Sequence, residues 1–339
     1  MKIAVLAGGL SPEHDVSMTS GALVANALAS RGHSVALCDV YRPTSGQLRA
    51  VFDDTGRFSK EVPTAPPSLS KMRAEYENGR LIGDGVIELC MKADLVFLAL
   101  HGGMGEDGRM QAILQSYGIP YTGSDFAACH AAMDKNISKL LCREAGMCVP
   151  DAVFAKRGDK IPSVSFPVVI KPCSCGSSVG VSFAENEEEL IKALDISFEY
   201  ESAVMIEKRI SGREFSVSVL GDKALPSVEI VPRSGKYDFS SKYQNGMTDE
   251  ICPGRLSREE EDEIERLSLL AHNTLGLSDV SRSDFIYDEN EHKFYYLETN
   301  ALPGMTKNSL MPRAASTVGM EYAELCEKIC KLAIERNKK

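Results

Sequence analysis

The chain has 339 residues, of which 43% are hydrophobic and 25% are charged, and its formal net charge at pH 7 is −10. This length predicts two or three domains with ample core, and the composition is ordinary for a soluble globular protein. The negative charge argues against nucleic-acid binding, which needs a basic face, and no apolar run approaches the length of a membrane-spanning helix. We therefore expect neither nucleic acid nor a membrane among the partners.

An α/β arrangement is predicted for the first third of the chain. Residues 2–9 (KIAVLAGG) form a short apolar run ending in two glycines, which is typical of a buried parallel strand rather than of a secretion signal. The glycines after this run lack the G-x-G-x-x-G spacing of a dinucleotide site. Further expected elements are helices over 17–31 and 110–118, strands over 34–40, 93–100 and 119–123, and a surface excursion around a short helix within 42–83.

Two motifs of this region follow predicted strands. Glu13 lies in SPEHDVS (11–17), beyond the carboxyl end of the first strand, where open α/β sheets bind ligands. The alternative is that Glu13 or Asp15 only caps the next helix. His101 opens the glycine-rich stretch HGGMGEDG (101–108), and on its own it fits a structural histidine as well as a binding residue.

The central part of the chain combines helices with a loop suited to phosphate. Residues 127–146 predict one long helix that Gly146 ends, and FPVVIKP (166–172) predicts a strand carrying Lys171. The loop CSCGSSVG (173–180) can form a nest of backbone N–H groups for phosphate oxygens, although a plain turn fits equally well and the Walker A spacing is absent. A further strand is expected over 203–210 (AVMIEKRI).

The last third of the chain alternates clear and unclear patterns. Residues 232–254 are polar with aromatics and have no period, which predicts a mobile lid or an unstructured surface loop. Ser257 and Glu260 form a capping box that begins a helix ended by Gly276. An amphipathic helix follows from Tyr322.

A β-hairpin is predicted by SDFIY (283–287) and FYYLE (294–298) with DENEH between them. If the turn is centred on Glu291, Asp284 faces Glu298 and Arg282 faces Asn300, all on one face of the sheet. Carboxylate and amide oxygens suit Mg²⁺, with substrate phosphates completing its shell. A slip of one residue would separate the carboxylates, and an ordinary solvated hairpin face is the alternative.

The ten cysteines do not predict a metal site. They lack a C-x-x-C pair: Cys173 and Cys175 are separated by one residue, and Cys326 and Cys330 lie four apart on an apolar helical face. This pattern predicts buried free thiols in the reducing cytoplasm.

The order of the motifs along the chain is more specific evidence of family than any single motif. Together they closely resemble the D-alanine–D-alanine ligases, a family of ATP-grasp enzymes, over nearly the whole chain apart from 42–83. The resemblance implies three domains: an N-terminal Rossmann-like α/β domain (1–122), a central domain (123–211) and a C-terminal domain (212–339) with a lid at about 232–254. ATP would lie between the last two. The motifs are SPEHDVS, LHGGMGEDG, YTGSDFAACHAAMDK, KPCSCGSSVG, IEKRISGREFSV, YDFSSKY, SRSDF and LETNALPGMTKNSLMP.

The same resemblance implies the ligands of each site residue. Two Mg²⁺ ions, for which Mn²⁺ can substitute, would be held by Asp284, Glu298 and Asn300. Lys135 and Lys171 would bind the ATP phosphates as point charges. The whole set implied for ATP is Lys135, Lys171, Ser177, Glu207, Lys208, Ile210, Glu214 and Lys242.

The implied reaction joins two D-alanines for peptidoglycan synthesis. The carboxylate of the first attacks the γ-phosphorus of ATP to give an acyl phosphate, and the amine of the second then attacks the acyl carbon. Arg282 and the backbone N–H of Gly304 would stabilise the resulting oxyanion. Glu13 would bind the ammonium of the first D-alanine. Glu13 would also form a linked triad with Ser177 and Tyr243. The other implied substrate residues are His101, Tyr243, Ser309 and Leu310.

Several alternatives remain compatible with this resemblance. The alternatives are a ligase with D-serine or D-lactate as acceptor, another ATP-grasp carboxylate–amine ligase, and a non-catalytic ATP-binding protein. The pair Lys242-Tyr243 favours D-alanine, since relatives that make D-alanyl-D-lactate lack it. Three features depart from the family. The loop before Ser177 reads CSC without charged residues, the excursion at 42–83 is longer than in compact members, and Arg209 stands where an apolar or aromatic residue often lines the adenine pocket. The resemblance also implies a homodimer.

Overall fold

A computed structural model describes residues 1–43, 52, 58–59, 67–75, 79–176, 179–232 and 248–338. These residues form three β-sheets with helices packed against them. Each sheet falls within one of the three expected segments, whose boundaries stay a prediction. Ser177, Lys242 and Tyr243 lie outside the described residues. Within the described ranges, no helix has the length and apolar character to cross a membrane.

The first sheet is parallel and has the strand order β2-β1-β3. Its central strand is buried almost throughout, as expected for a strand covered on both faces. The segment expected as a last strand, 119–123, makes only a single bridge between Val96 and Tyr121. Pro120 has no N–H to donate, and the N–H of Gly123 turns away to the Asp279 carboxylate at 2.8 Å. The elements are β1 (Lys2–Ala7), α1 (His14–Ser30), β2 (Ser34–Asp39), α2 (Leu69–Glu75), α3 (Val86–Cys90), β3 (Leu95–Leu98) and α4 (Arg109–Ser116).

The second sheet is antiparallel and has the order β4-β7-β5-β6. Its edge strand β4 was not predicted from the sequence. The loop at 173–180 connects β5 to β6, as expected. The elements are α5 (Phe126–Met133), α6 (Lys135–Glu144), β4 (Ala152–Lys156), β5 (Val168–Pro172), β6 (Ser182–Ala184), α7 (Glu187–Ser197) and β7 (Ala203–Lys208).

The single helix predicted over 127–146 is wrong, because the chain breaks at Asp134. This residue is extended, with φ −80° and ψ 106°. Its carboxylate accepts hydrogen bonds from the N–H groups of Asn136 at 2.9 Å and Ile137 at 3.0 Å. A new N-cap therefore starts α6 with Lys135 as its first residue. One turn later Lys139 lies on the same face, and both lysines are buried.

The third sheet has the order β11-β10-β8-β12-β13, and β9 pairs with β8. Strand β11 corrects the lid expected over 232–254, since residues 248–251 pair with β10; residues 233–247 lie outside the described ranges. The capping box of Ser257 and Glu260 is confirmed. The elements are β8 (Arg213–Leu220), β9 (Lys223–Ala224), β10 (Val228–Pro232), β11 (Thr248–Ile251), α8 (Arg258–Thr274), β12 (Val280–Asp288), β13 (Lys293–Asn300), α9 (Leu310–Thr317) and α10 (Tyr322–Asn337).

The register of the β12–β13 hairpin is confirmed where it matters. Arg282 pairs with Asn300 and Asp284 with Glu298. A register shift follows Asp284, so that Phe285 pairs with Tyr296 and the hairpin turn lies slightly before the assumed centre. The bulge adds one residue to β13 and compensates for the displaced turn. The two carboxylates therefore keep the predicted pairing.

Apolar cores join the sheets into one frame for the site. One core packs α1 and α10 between the first sheet and the third, and another packs α8 beneath the third sheet. A smaller core lies between α7 and the second sheet. All ten cysteines are free and six of them are buried.

A buried histidine of α8 predicts an acid-sensitive fold. His272 Nδ1 lies 2.7 Å from Ser281 Oγ, and burial lowers the pKa of His272 from 6.5 to about 4. The unfolded chain therefore binds a proton near pH 6.5 that the folded chain binds only near pH 4, so stability falls as the pH drops through this window. We expect the wild type to lose roughly 3 kcal/mol more than His272→Gln between pH 7 and 4. Urea unfolding at both pH values measures the difference.

The exposed His130 provides the control for this prediction. His130→Gln should follow the wild-type pH dependence. An equal acid loss in the wild type and His272→Gln would contradict the assignment.

Candidate active site

A cavity of about 790 Å³ separates the second sheet from the third. One wall comes from β5, β6 and β7, and the other from β8, β10, β12 and β13. Both walls carry charged side chains. The sequence-predicted residues that line it are Lys135, Lys171, Glu207, Lys208, Ile210, Glu214, Asp284 and Glu298.

Two lysines share one buried carboxylate at the floor of this cavity. Glu207 forms ion pairs with Lys139 and Lys171, and Glu207 is only 2% exposed. Burial raises the pKa of Glu207, but the two ammonium groups hold it below its usual value. Burial, together with Lys171, lowers the pKa of Lys139 to about 8. Two ammonium groups against one carboxylate leave an excess of positive charge next to Lys171 while both lysines are protonated, which suits an anionic ligand.

Glu207 has a pairing that the sequence did not predict. All of 207–210 line the large cavity, as expected for residues implied to bind ATP, and the Glu207 carboxylate is paired with the two lysines. Lys139 was missed by sequence reasoning. Its spacing of four residues from Lys135 is the signal that could have found it.

Lys135 connects the helix, the loop and the hairpin. Its Nζ lies 3.0 Å from Glu298 Oε2 and donates to the carbonyl oxygen of Cys175 at 2.9 Å. Its backbone N–H donates to the carbonyl oxygen of Cys173 at 3.0 Å. Burial lowers the pKa of Lys135, but the Glu298 carboxylate outweighs it and raises the pKa above its ordinary value. Lys135 therefore stays protonated in the site.

The acidic face of the hairpin is held by cations and hydroxyls. Arg282 Nε and Nη2 each lie 3.0 Å from an oxygen of Asp284, and Ser216 Oγ donates to Asp284 at 2.6 Å. Asn300 Nδ2 lies 3.4 Å from Asp284 Oδ2. Facing carboxylates repel each other unless a cation lies close, and here Arg282 pairs with Asp284 and Lys135 pairs with Glu298.

This donor set fits a hard divalent cation. Asp284, Glu298 and Asn300 offer two carboxylates and one amide oxygen from adjacent strands. No cluster of three or more His, Cys, Asp or Glu side chains with metal-site geometry occurs among the described residues. So few acidic ligands match Mg²⁺, which keeps coordination positions for phosphate oxygens and water.

A small cavity of about 20 Å³ continues the site toward the first domain. It shares Lys135 and Glu298 with the large cavity and is also lined by Glu106, Gly176 and Asn300. Glu106 is 9% exposed and accepts the N–H of Gly102 at 2.7 Å. Burial, and then the negative charge of Glu13, raise the pKa of Glu106 to about 8. Sequence reasoning recorded Glu106 only as part of a glycine-rich stretch, so its position in the small cavity was not predicted.

Glu13 lies close to Gly176, which lines this small cavity, and His101 is a neighbour of Glu13. The Glu13 side chain makes no capping hydrogen bond to α1, so the helix-cap interpretation is wrong for this residue. A Cβ atom at Gly176 would lie 3.6 Å from Glu13 Oε2, which shows how closely the loop approaches. His101 Nε2 lies 3.2 Å from Ser20 Oγ, and burial lowers the pKa of His101. His101 is therefore neutral near pH 7. Of these two neighbouring side chains, Glu13 is the one suited to bind a cation.

Gly304, Ser309 and Leu310 form a group of their own at the start of α9. Ser309 Oγ accepts the N–H of Thr306 at 3.0 Å and lies 2.8 Å from Thr306 Oγ1. A Cβ atom at Gly304 would lie 2.8 Å from Ser309 Oγ, so only glycine leaves this hydroxyl in place. The turn thus presents a hydroxyl at a helix N-terminus, an arrangement that suits a carboxylate.

Part of the large cavity is lined by an aromatic ring and a guanidinium group. Arg209 lies over the ring of Phe183 at 5.3 Å and pairs with Glu185 at 2.8 Å. Phe183 and Glu185 also line the cavity. At this position the chain therefore has a planar guanidinium group in place of an apolar or aromatic side chain.

The thiols of the loop are not poised for redox chemistry. Burial and the negative charge of Glu201 raise the pKa values of Cys173 and Cys175 to about 11. A reactive thiolate needs a lowered pKa. We therefore expect neither cysteine to sense oxidation.

Comparisons with known proteins agree with this geometry. Models of the D-ala D-ala ligase N-terminus and C-terminus match residues 2–124 and 150–331. A D-alanine–D-alanine ligase of Geotalea uraniireducens is 39% identical over 97% of this chain and 94% of its own length. The crystal structure of D-alanine–D-alanine ligase from Bacillus anthracis complexed with ATP matches with a TM-score of 0.78 and 29% identity, covering 100% of this chain and 99% of the other.

A relative with another acceptor also shares the fold. The VanG D-Ala:D-Ser ligase from Enterococcus faecalis matches with a TM-score of 0.75 and 26% identity over 98% of this chain and 99% of its own. The two family models together span most of this chain, and the Geotalea relative spans it almost completely. The chain therefore belongs to the D-alanine–D-alanine ligase family, enzymes of the ATP-grasp fold.

Proposed function

We propose that this chain joins two D-alanines into D-alanyl-D-alanine with ATP, through a D-alanyl phosphate, as a step in peptidoglycan synthesis. One observation carries the proposal beyond family membership. The hairpin carboxylates Asp284 and Glu298 face each other across from Lys135 and Lys171, in a cavity between two sheets. That arrangement suits a nucleotide triphosphate with a divalent cation.

The nucleotide would lie along the large cavity. Lys135 and Lys171 would bind its phosphates, and Lys139 would keep Glu207 paired when Lys171 turns to them. The base would lie by 207–210, with Lys208, Ile210 and Glu214 as contacts. Ser177 and Lys242, outside the described residues, would complete the phosphate site.

Asp284, Glu298 and Asn300 would hold two Mg²⁺ ions, or Mn²⁺ in their place. Bound there, the ions would neutralise charge on the phosphoryl oxygens. The chain's own part is to hold the ligands in place: Arg282 and Ser216 orient Asp284, and Lys135 orients Glu298.

The proposed reaction has two steps, and each needs an amino-acid group held next to an electrophilic atom. The first D-alanine carboxylate would attack the γ-phosphorus, releasing ADP, and the second amine would attack the acyl carbon, releasing phosphate. Attack by the amine gives a tetrahedral intermediate with a negative oxygen, which Arg282 and the N–H of Gly304 would stabilise until phosphate leaves. Positioning of the two substrates, together with the exclusion of water, would supply most of the acceleration.

The charged groups of the two D-alanines would be bound by a carboxylate at one site and by a hydroxyl at the other. Glu13 would bind the ammonium of the first D-alanine, next to the neutral His101. Ser309 and Leu310, at the start of α9, would hold the carboxylate of the second. Tyr243, outside the described residues, would link to Glu13 and Ser177 and favour D-alanine as acceptor.

Release of phosphate from ATP, measured with Mg²⁺ and D-alanine, D-serine or D-lactate as second substrate, tests the proposal. D-alanine alone should support full turnover and yield the dipeptide. Turnover only with a mixed pair would show that the acceptor is different, as in the D-Ala:D-Ser relative. ATP binding without phosphate release from any pair would overturn the catalytic proposal. Light scattering tests the homodimer implied by the family, and fractionation tests its cytoplasmic location.

Helix α6 offers a test of the nucleotide site that separates stability from binding. Asp134→Ala removes the N-cap of the helix that carries Lys135, and Asp125→Ala removes the equivalent cap of α5. Each should lower the free energy of unfolding by about 1 kcal/mol in urea titrations. Only Asp134→Ala should raise the KM for ATP, because α5 carries no phosphate-binding lysine. Equal KM values in the two variants would contradict the placement of ATP at α6.

A further inference from the structure

The loop at 173–180 contains no charged side chain, and its anchor comes from another part of the chain. Glu201 lies in the turn between α7 and β7. Its carboxylate accepts hydrogen bonds from the backbone N–H of Cys173 at 2.9 Å and of Ser174 at 2.8 Å. The Ser174 hydroxyl donates to the same carboxylate, and the Cys175 thiol lies 3.7 Å from it. One side chain therefore holds three consecutive residues of the loop.

The anchored residues are the ones that touch the rest of the site. The carbonyl oxygen of Cys173 accepts the N–H of Lys135, and that of Cys175 accepts Lys135 Nζ at 2.9 Å. Gly176 follows directly and approaches Glu13. The far end of the loop is held by the same structural unit, since Ser197 Oγ, on α7, donates to the carbonyl oxygen of Gly180 at 2.6 Å. Contacts therefore run from Glu201 through the loop to Lys135.

A carboxylate suits this position better than a neutral group would. Successive backbone N–H groups form a concave site for an anion, and bonds to a charged acceptor are about twice as strong as neutral ones. Without the carboxylate, the N–H groups of Cys173 and Ser174 would lose their partner. The carbonyl of Cys175 would then be free to leave Lys135.

We propose that Glu201 is a positioning residue of the nucleotide site: it fixes residues 173–176 and so directs the Lys135 ammonium. This inference rests on the proposed function for the identity of the ligand, ATP. It also accounts for the loop sequence CSC, since the charge missing from the loop is supplied by Glu201. The expected result of losing it is a weaker grip on ATP with little effect on D-alanine.

Glu201→Ala tests this in the full-length protein. Hydrogen exchange should accelerate about tenfold or more at the amides of Cys173 and Ser174, which lose a charged acceptor. The Kd for ATP, measured by equilibrium binding, and the KM for ATP should both rise about tenfold, while the KM for D-alanine changes less than about twofold. Glu201→Asp keeps the carboxylate and should recover most of the ATP affinity, whereas Glu201→Gln, which keeps only the length, should not. Glu199→Ala, an exposed neighbour in the same turn, is the matched control and should behave as wild type.

Two outcomes would overturn the proposal. In one, Glu201→Ala leaves both the amide exchange of 173–174 and the KM for ATP unchanged. In the other, exchange accelerates evenly over β5, β6 and β7, which would make Glu201 a general structural residue. Amide exchange and equilibrium ATP binding need no dipeptide formation. A wild-type protein that binds ATP but makes no dipeptide would therefore refute the proposed reaction and still leave the role of Glu201 decided.

Discussion

Glu298→Ala should lower phosphate release from ATP by about a thousandfold or more, because Glu298 is proposed to bind Mg²⁺ and such a ligand contributes several kcal/mol to stabilising the transition state. Glu298 pairs with Asp284 across the hairpin and lines both cavities. Its carboxylate also lies 3.0 Å from Lys135 Nζ, so its loss leaves a buried ammonium unpaired. Phosphate release at saturating ATP, D-alanine and Mg²⁺ is the measurement.

The turn of the same hairpin supplies the control. Glu291 is exposed and bonds only locally, with Tyr295 and Lys293, among the contacts described for it. Glu291→Ala should keep wild-type turnover. Glu298→Gln keeps the shape of the side chain without its charge and should remain impaired, with its half-maximal Mg²⁺ concentration raised. Near-normal turnover of Glu298→Ala at saturating Mg²⁺ would refute the ligand assignment.

Arg282→Lys should reduce kcat by about a hundredfold to a thousandfold, the usual effect of losing one oxyanion donor. The guanidinium holds both oxygens of Asp284, each at 3.0 Å, and a lysine ammonium cannot reproduce this fork. The KM for ATP should change much less, because Lys135 and Lys171 remain. Steady-state kinetics with ATP and D-alanine varied in turn separates the two parameters.

A surface pair of the same geometry provides the comparison. Arg266 binds both oxygens of Glu263 at 2.7 Å and 2.8 Å, and both side chains are exposed. Arg266→Lys should leave kcat at the wild-type value, since exposed pairs contribute little. If Arg282→Lys also kept kcat within a few fold of wild type, Arg282 would not be the oxyanion donor.

The hairpin was the part of the site that sequence reasoning predicted best. The alternation of side chains and the short polar turn are local signals, and they placed Asp284 opposite Glu298. The turn itself was slightly misplaced, and a β-bulge after Asp284 corrected the register. A bulge has no distinct mark in this sequence, so agreement at the carboxylates depended on two deviations that cancel.

Other elements show where local signals compete. The run 127–146 has the composition of one helix, yet Asp134 is a better N-cap than an interior residue and divides it. Strand β4 and the strand end of the expected lid, β11, were missed, because short edge strands acquire their pairing from neighbours rather than from a pattern of their own.

The sequence by itself determined most of the capped helices, the three strands of the parallel sheet, the hairpin carboxylates and the family. These depend on side-chain periods and on motifs that act within a few residues. Only the tertiary structure decided which charges meet: Lys139 and Lys171 on Glu207, Glu106 beside Glu13, and Glu201 beneath the loop. These contacts depend on the tertiary structure, because each joins residues far apart in the chain. The ionisation of these groups depends on burial, which no local sequence pattern records.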